Sequence, residues 1–179
     1  MGKLFTEIND DLKTWIEKQK VFFVSTAPLS ANGHINCSPK GLDSLRIFSP
    51  DEVAYQDLTG SGIETIAHIK ENKRIVIMFC AFEGPPKIVR LYGNGEIILP
   101  GDSQFSVLHA QFPLRRGTRA YIKIQLTRIS DSCGYGVPLF DFNGEREVLT
   151  KWADAKTDED IVAYRQLKNS KSIDGLAGL

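Results

Sequence analysis

The stretch YQDLTGSGIETIAHIKENKR, residues 55–74, combines glycines with hydroxyl and carboxyl groups. It predicts the end of a strand, a loop containing Gly60 and Gly62, and then a helix. Glycines leave backbone N–H groups uncovered where the helix presents its positive end, and anions bind in such places. The pattern therefore predicts a phosphate site at this turn.

Ser61 and Glu64 also fit a purely structural role. S-x-x-E before an apolar helix is typical of a capping box, in which each side chain binds the backbone N–H of the other residue. A capping box does not explain the two glycines, nor Asp57 and Thr59 in the same turn. Because the carboxylate of Glu64 repels a phosphate, such a site needs cations from elsewhere in the chain.

Two basic residues could supply that positive charge. Arg90, in KIVRLY, shares its strand face with Ile88 and Tyr92, and burying a guanidinium there is costly without an anion. Its partner is either a carboxylate of its own chain or a bound phosphate or carboxylate ligand. Lys40, in CSPKG, follows a proline that must end a strand or lie at a sheet edge, and it is either solvated surface or a ligand contact.

Cys133 lies between Ser132 and Gly134 and could be a nucleophilic or redox thiol. No histidine stands near it in sequence and no second cysteine is paired with it, which disfavours a catalytic thiol. Tyr135 and Phe140, in the same segment, are either interface aromatics or a stacking surface for a planar ligand. The three cysteines and three histidines lack ligand spacing, so we expect no metal site.

Composition narrows the class of protein. The 179 residues are 42% hydrophobic and 25% charged, with 22 basic and 22 acidic side chains, which fits one globular domain spanning 1–179. A net charge of zero gives no excess of positive charge with which to bind nucleic acid. No apolar run reaches the roughly 18 residues of a membrane span. We expect neither a nucleic-acid nor a membrane partner, and a cytoplasmic protein with reduced thiols.

Hydrophobic periodicity predicts a mainly β chain with helices at both ends. An amphipathic helix is expected within 1–20, at about 4–18, and a C-terminal helical extension over 143–179, with helices near 145–155 and 158–169. Strands are predicted at 21–26, 34–39, 45–48, 53–55, 74–82, 87–99 and 119–129, with a hairpin at Asn32-Gly33 and a bulge or a sharp bend at Gly93 and Gly95. Six or seven strands with short links favour a small barrel, since closure removes exposed edges.

The segments INCSPKG, AYQDLTGSGIETIAHIKENKRIVIMF, GPPKIVRLYGNGEI, SCGYGVPLFDF and SIDGL follow one another along the chain. In this order they resemble the pyridoxamine 5'-phosphate oxidase-related proteins of the FMN-binding split-barrel superfamily, from about residue 21 to residue 179. The resemblance implies a six- to seven-stranded antiparallel split β-barrel of Greek-key topology with flanking helices. It also implies a homodimer with an FMN in each of two clefts at the subunit interface.

The resemblance assigns cofactor contacts to four segments. The flavin ring would lie along β-strand residues Asn36, Ser38, Pro39, Lys40 and Gly41. The ribityl chain and phosphate would be surrounded by Tyr55, Asp57, Leu58, Thr59, Gly60, Ser61 and Thr65. Arg90, helped by Lys40, would supply positive charge, and Cys133, Gly134 and Tyr135 would reach the flavin of the partner subunit.

The departures from the family pattern bear on the reaction. Glu64-Thr65 stand where the authentic oxidases have an Arg-Lys pair, and their tyrosine, arginine and serine pattern for the vitamin phosphate is missing after the long strand. The resemblance thus implies an FMN-dependent oxidoreductase that exchanges a hydride between flavin N5 and a small unidentified substrate or nicotinamide, rather than a true pyridoxamine phosphate oxidase. No acid or base is assigned, and Lys40 would favour a reduced, anionic flavin.

Two alternatives remain at this level, because one fold serves many functions. The first is a non-catalytic module that binds or senses flavin, or another planar ligand such as haem. The second is a barrel that has lost its cofactor, for which Glu64 is the only indication in the sequence.

Overall fold

Between residues 2 and 179, the part of the chain that it describes, the computed structural model contains eight strands and five helices. The strands are β1 Leu4–Phe5, β2 Phe22–Thr26, β3 Asn36–Lys40, β4 Leu45–Ser49, β5 Glu52–Leu58, β6 Arg74–Cys80, β7 Ile88–Ile98 and β8 Thr118–Ser132. The helices are α1 Asp10–Glu17, α2 Glu64–Asn72, α3 Phe105–His109, α4 Val148–Asp154 and α5 Asp158–Lys168.

All paired strands run antiparallel in one sheet of order β3-β2-β6-β7-β8-β5-β4, and β1 adds to β8. The predicted antiparallel architecture is confirmed, and the strand beyond the expected seven is the two-residue β1. A register shift between Tyr92 and Gly93 confirms the bulge in β7. Glycine is required there, because a Cβ at position 93 would lie 2.3 Å from the backbone oxygen of Gln125.

The prediction for the N-terminus was wrong in its first half. Leu4 and Phe5 pair with Ser130 and Ile129 of β8, and the helix begins only at Asp10. The physical reason is a side-chain cap, since the Asn9 carboxamide oxygen accepts a hydrogen bond from Leu12 N at 2.9 Å. Met1, part of the predicted helical region, lies outside the described residues.

The core lies between α2 and the strands that it crosses. Ile66 and Ile69 of α2 are buried in one cluster with Val24, Ile77 and Leu91 of β2, β6 and β7. These side chains recur with helical spacing in α2 and alternate in the strands, as burial of one face requires. Burial of this face fixes α2, and with it the glycine turn that precedes α2, against the sheet.

The C-terminal region returns to the sheet after a long segment, residues 133–147, without helix or strand. The two predicted C-terminal helices are present as α4 and α5, each shorter than expected. Thr157 and Asp160 form a true capping box at the start of α5. Within the described chain, no helix combines the length and the apolar character that a membrane crossing requires.

Candidate functional site

A cavity of about 1320 Å³ opens where the C-terminal region meets the sheet. Its walls come from the end of α1, residues 39–42, Thr59 and Gly60, the loop 82–87, residues within 140–152, and Tyr164. Protein sites for small molecules and cofactors commonly span about 300–1,000 Å³. The cavity is therefore large enough for a ligand of cofactor size.

Five of the predicted contact residues line this cavity, and they come from two separate segments. Pro39, Lys40 and Gly41 end β3, while Thr59 and Gly60 follow β5. These two strands are not neighbours in the sheet. The fold thus brings the CSPKG segment, which contains Lys40, next to the glycine turn at Gly60.

Asp57 lies beneath this wall as a buried carboxylate. Its side chain is 1% exposed; its Oδ2 accepts a hydrogen bond from Arg119 Nε at 2.8 Å, and Lys40 Nζ is 3.7 Å from its Oδ1. Among residues 2–179, no group donates a hydrogen bond to Oδ1. Leu58, which follows, is half-buried and pairs with Thr118 across a register shift.

The carbonyl groups of the glycine turn are bound by side chains from later elements. Gly60 O accepts from Asn169 Nδ2 at 2.9 Å, and Gly62 O accepts from Arg119 Nη1 at 2.9 Å. The backbone N–H groups of residues 60–62 have no hydrogen bond to any part of the chain that the structure describes. Three successive donors are therefore left for solvent or for an anion.

Arg165 of α5 reaches the same turn from the other side. Its Nε and Nη2 donate to Thr59 Oγ1 at 3.0 and 2.8 Å, and Nη2 also donates to Thr118 O at 2.9 Å. Burial lowers the pKa of Arg165, and the neighbouring positive charge of Arg119 lowers it further. Lys40 and Arg119 thus pair with the carboxylate of Asp57, whose negative charge also acts to raise the pKa of Arg165.

The capping box predicted for Ser61 and Glu64 is absent from the described structure, so that prediction was wrong. Helix α2 begins at Glu64, its N-cap is Ile63, and Ser61 is exposed. The carboxylate of Glu64 accepts instead from Ile63 N at 3.0 Å and from Ile173 N at 3.3 Å. Glu64 is therefore engaged by the C-terminal tail, which the local motif could not show.

A second group of predicted residues forms a polar cluster between β3 and α2, away from the cavity lining. Asn36 Nδ2 donates to Thr65 Oγ1 at 3.0 Å, and Ser38 Oγ donates to Asn36 Oδ1 at 2.9 Å. Burial raises the pKa of Tyr55 well above its ordinary value and lowers the pKa of His68, both of which are fully buried. This cluster supports the strand that carries Lys40.

The remaining predicted residues lie together at the far end of β7 and β8. Arg90 Nη1 donates to Ser132 Oγ at 3.0 Å rather than contacting the glycine turn. Cys133 is exposed, Gly134 is buried with φ +65°, and Tyr135 is 82% exposed. Their roles toward a cofactor stay predictions.

Three residues of the turn's surroundings were missed in the sequence: Arg119, Arg165 and Asn169. Arg119 shares its strand face with Tyr121, the same pattern that drew attention to Arg90, so it could have been found. Arg165 follows buried Ile161 by four residues and lies on the same helix face, which is a weak signal. Asn169 carries no signal in the sequence.

Comparisons with known proteins agree with this architecture. A family model described as pyridoxamine 5'-phosphate oxidase matches residues 8–133. The pyridoxamine 5'-phosphate oxidase family protein ustO of Aspergillus flavus is 38% identical over 196 aligned residues, which cover 100% of this chain and 78% of the relative.

Two solved structures are similar in fold. HupZ of Group A Streptococcus is 25% identical with a TM-score of 0.52, covering 68% of this chain and 91% of that chain. A FAD-binding protein of Mesorhizobium loti is 11% identical with a TM-score of 0.50, covering 73% and 96%, and it shows the fold alone. The expected split-barrel fold is confirmed, and the chain belongs to the pyridoxamine 5'-phosphate oxidase family.

Proposed function

We propose that this protein binds FMN in the cavity beside Gly60 and exchanges a hydride between the flavin and a small substrate or nicotinamide. One observation carries the proposal: Pro39–Gly41 and Thr59–Gly60, two segments distant in sequence, meet on the wall of a cavity of about 1320 Å³. The chain belongs to a family whose fold is shared by a flavin-binding protein. A flavin fits both the family and the size of the cavity.

The polar groups of the site suit the parts of FMN. The buried Oδ1 of Asp57 lies 3.7 Å from Lys40 Nζ and keeps that ammonium at the cavity wall, where it can contact an oxygen of the ligand. The N–H groups of residues 60–62 and the neighbouring cations suit a phosphate. Two aromatic side chains of the lining, Trp152 and Tyr164, pack edge to face with ring centroids 4.9 Å apart and offer an apolar surface to a planar ring.

The contribution of the protein is position, charge and exclusion of water. A bound flavin supplies the atom that accepts or donates the hydride. Lys40 keeps a positive charge beside the buried carboxylate of Asp57 and stabilises negative charge on a ligand. The segment from Phe140 to Leu149 covers one side of the cavity and limits the access of water.

The direct test is the absorbance spectrum of the purified protein, with any released ligand identified by mass, followed by titration of ligand-free protein with FMN. We expect a yellow protein that releases FMN and is bleached by NADH or NADPH in the absence of oxygen. A yellow protein that no reductant bleaches supports the non-catalytic flavin module instead. Failure of the ligand-free protein to bind FMN contradicts the cofactor proposal.

We also propose that the protein forms a homodimer, as the family resemblance implies. Segment 135–149 exposes a row of large apolar side chains, among them Tyr135 at 82%, Leu139 at 72% and Val148 at 73%. A concentration of exposed large apolar side chains in one segment favours an interaction site. A second copy that covers this segment would also cover one side of the cavity.

Leu139→Asp is expected to weaken the dimer at least about 100-fold, because a charge would replace an apolar contact in the interface. Sedimentation should then give the 20.0 kDa of one chain, where the unmodified protein gives twice that mass. Leu167→Asp is the matched control, since Leu167 is 74% exposed but lies on α5 outside this segment. Equal dissociation of both variants would argue against segment 135–149 as the interface.

A further inference from the structure

A second cavity, of about 340 Å³, lies next to the one proposed for the flavin. The two cavities share Gln19, Lys20 and Gly41 on their walls. The rest of the second cavity is formed by the end of α1, by β2, β4 and β6, and by the turn between β3 and β4. Its volume is near the lower end of the range for ligand sites in proteins, about 300–1,000 Å³, so it suits a molecule smaller than a cofactor.

The floor of the second cavity is apolar and belongs to the core. Ile16, Phe22 and Phe79 are each no more than 5% exposed, and the rings of Phe22 and Phe79 have centroids 5.9 Å apart. Leu45 and Ile47 of β4 also line the cavity, as half-buried side chains that pack against the same core cluster. Because core packing fixes these side chains, the cavity is preformed and offers a surface to an apolar or aromatic group.

The turn that forms one edge of the second cavity is strained and held in place by side chains. Leu42 and Asp43 have φ of +60° and +50°, in a region that few non-glycine residues adopt. Ser44 Oγ donates to Gly41 O at 2.6 Å, and Arg46 Nη1 donates to Asp43 O at 3.2 Å. Strained backbone of this kind persists where its surroundings over-determine it, and it is concentrated at ligand sites. The turn therefore favours a binding role for this edge.

Four charged side chains line the second cavity, and two of them neutralise each other. Arg46 binds the carboxylate of Asp43 with both terminal nitrogens, at 2.8 and 2.9 Å, and its Nε donates to Gln111 O at 3.0 Å. The other two, Glu17 and Lys20, are exposed, and their side chains take part in no ion pair or hydrogen bond with the described residues. Since burial is greatest at the floor, these two charges lie at the mouth.

A further carboxylate, that of Glu145, lies near the backbone of Lys20. A Cβ at position 41 would be 3.3 Å from Lys20 O and 3.5 Å from Glu145 Oε2. Glu145 lines the first cavity and not the second, and within residues 2–179 it forms no ion pair with Lys20, whose ammonium lies 5.6 Å from the ring centroid of Phe142. The mouth of the second cavity thus keeps one acidic and one basic side chain, with no net charge.

We propose that the second cavity binds a small zwitterion with an apolar side chain, which is the chemistry of a free apolar amino acid. Lys20 pairs with the carboxylate of the ligand and Glu17 pairs with its ammonium group. The side chain of the ligand packs against the floor formed by Phe22 and Phe79. A molecule that carries only one of the two charges leaves Glu17 or Lys20 without a partner, so the pair of charges gives selectivity. The site goes beyond the flavin proposal and does not require a bound flavin.

The experiment titrates the full chain with phenylalanine by calorimetry, and with two analogues that each lack one charge, phenethylamine and phenylpropionate. Serine, a zwitterion without an apolar side chain, tests the floor. The variants are Glu17→Gln and Lys20→Met, and the first is the more specific because Glu17 lines the second cavity alone. Lys18→Met and Asp11→Asn are the matched controls, since both residues are exposed, Lys18 lines only the first cavity and Asp11 lines neither. Melting temperatures establish that each variant is folded.

We expect the wild type to bind phenylalanine, and Glu17→Gln and Lys20→Met each to weaken that binding about 3- to 10-fold. Phenethylamine, phenylpropionate and serine should all bind more weakly than phenylalanine, and both control variants should match the wild type. Absence of phenylalanine binding to the folded wild type overturns the inference. Unchanged binding in Glu17→Gln, or phenylpropionate binding as tight as that of phenylalanine, also overturns it. A protein that binds phenylalanine in this manner but no flavin supports the second site and contradicts only the proposed function.

Discussion

Arg119→Met is expected to lower the free energy of unfolding by about 3 kcal/mol or more, measured by urea denaturation. The side chain of Arg119 is 5% exposed and its Nε lies 2.8 Å from the carboxylate of Asp57, which is 1% exposed. Removing the guanidinium leaves a buried carboxylate whose nearest cation is Lys40 at 3.7 Å. The variant also loses the hydrogen bond from Nη1 to Gly62 O, so the glycine turn is loosened at the same time.

Two further variants identify the source of that loss. Arg116→Met should change stability by less than about 0.5 kcal/mol, because its ion pair with Asp158 is exposed to solvent. Asp57→Asn in the Arg119→Met background should recover part of the stability, since it removes the uncompensated charge. A loss below about 1 kcal/mol for Arg119→Met, or no recovery in the double variant, contradicts the assignment of this pair.

Sequence periodicity was sufficient for the elements whose burial is local and regular. β8 was expected from the alternation of Ile122, Ile124 and Leu126 with polar residues, and all three are buried. The capping box failed for the opposite reason, because Glu64 is bound by Ile173, 109 residues away in the chain. A local motif cannot reveal a competing partner that only tertiary structure brings near.

The residues of the candidate site also fall into two groups, those that a short motif indicates and those that only the tertiary structure brings near. Lys40 and the glycine turn were found because each is a short motif with its own physical signature. Arg119 reaches Asp57 through a register shift between Asp57 and Leu58, and Arg165 arrives only when α5 docks. The strand face that Arg119 shares with Tyr121 marks it as a candidate, but the partners of the two arginines could not be assigned before the register and the docking were known.

Lys40→Met is expected to weaken FMN binding by about 10- to 100-fold and to change the rate of reduction of the bound flavin far less. The physical reason is the position of its ammonium, 3.7 Å from Asp57 Oδ1 and therefore beside the turn that holds the phosphate in our proposal. The family resemblance places Lys40 at the flavin ring, where the same substitution would slow reduction more than it loosens FMN. Stopped-flow reduction at saturating FMN, together with equilibrium titration, separates the two effects.

Lys20→Met is the matched control, because Lys20 also lines the cavity but its ammonium lies over the ring of Phe142 at 5.6 Å, not beside Asp57. Lys40→Arg keeps the charge and should retain most of the affinity, since a guanidinium can still face the carboxylate. A reduction rate that falls by a larger factor than the affinity would move Lys40 to the ring. The phosphate would then depend on the N–H groups of residues 60–62, which have no hydrogen bond within the described chain.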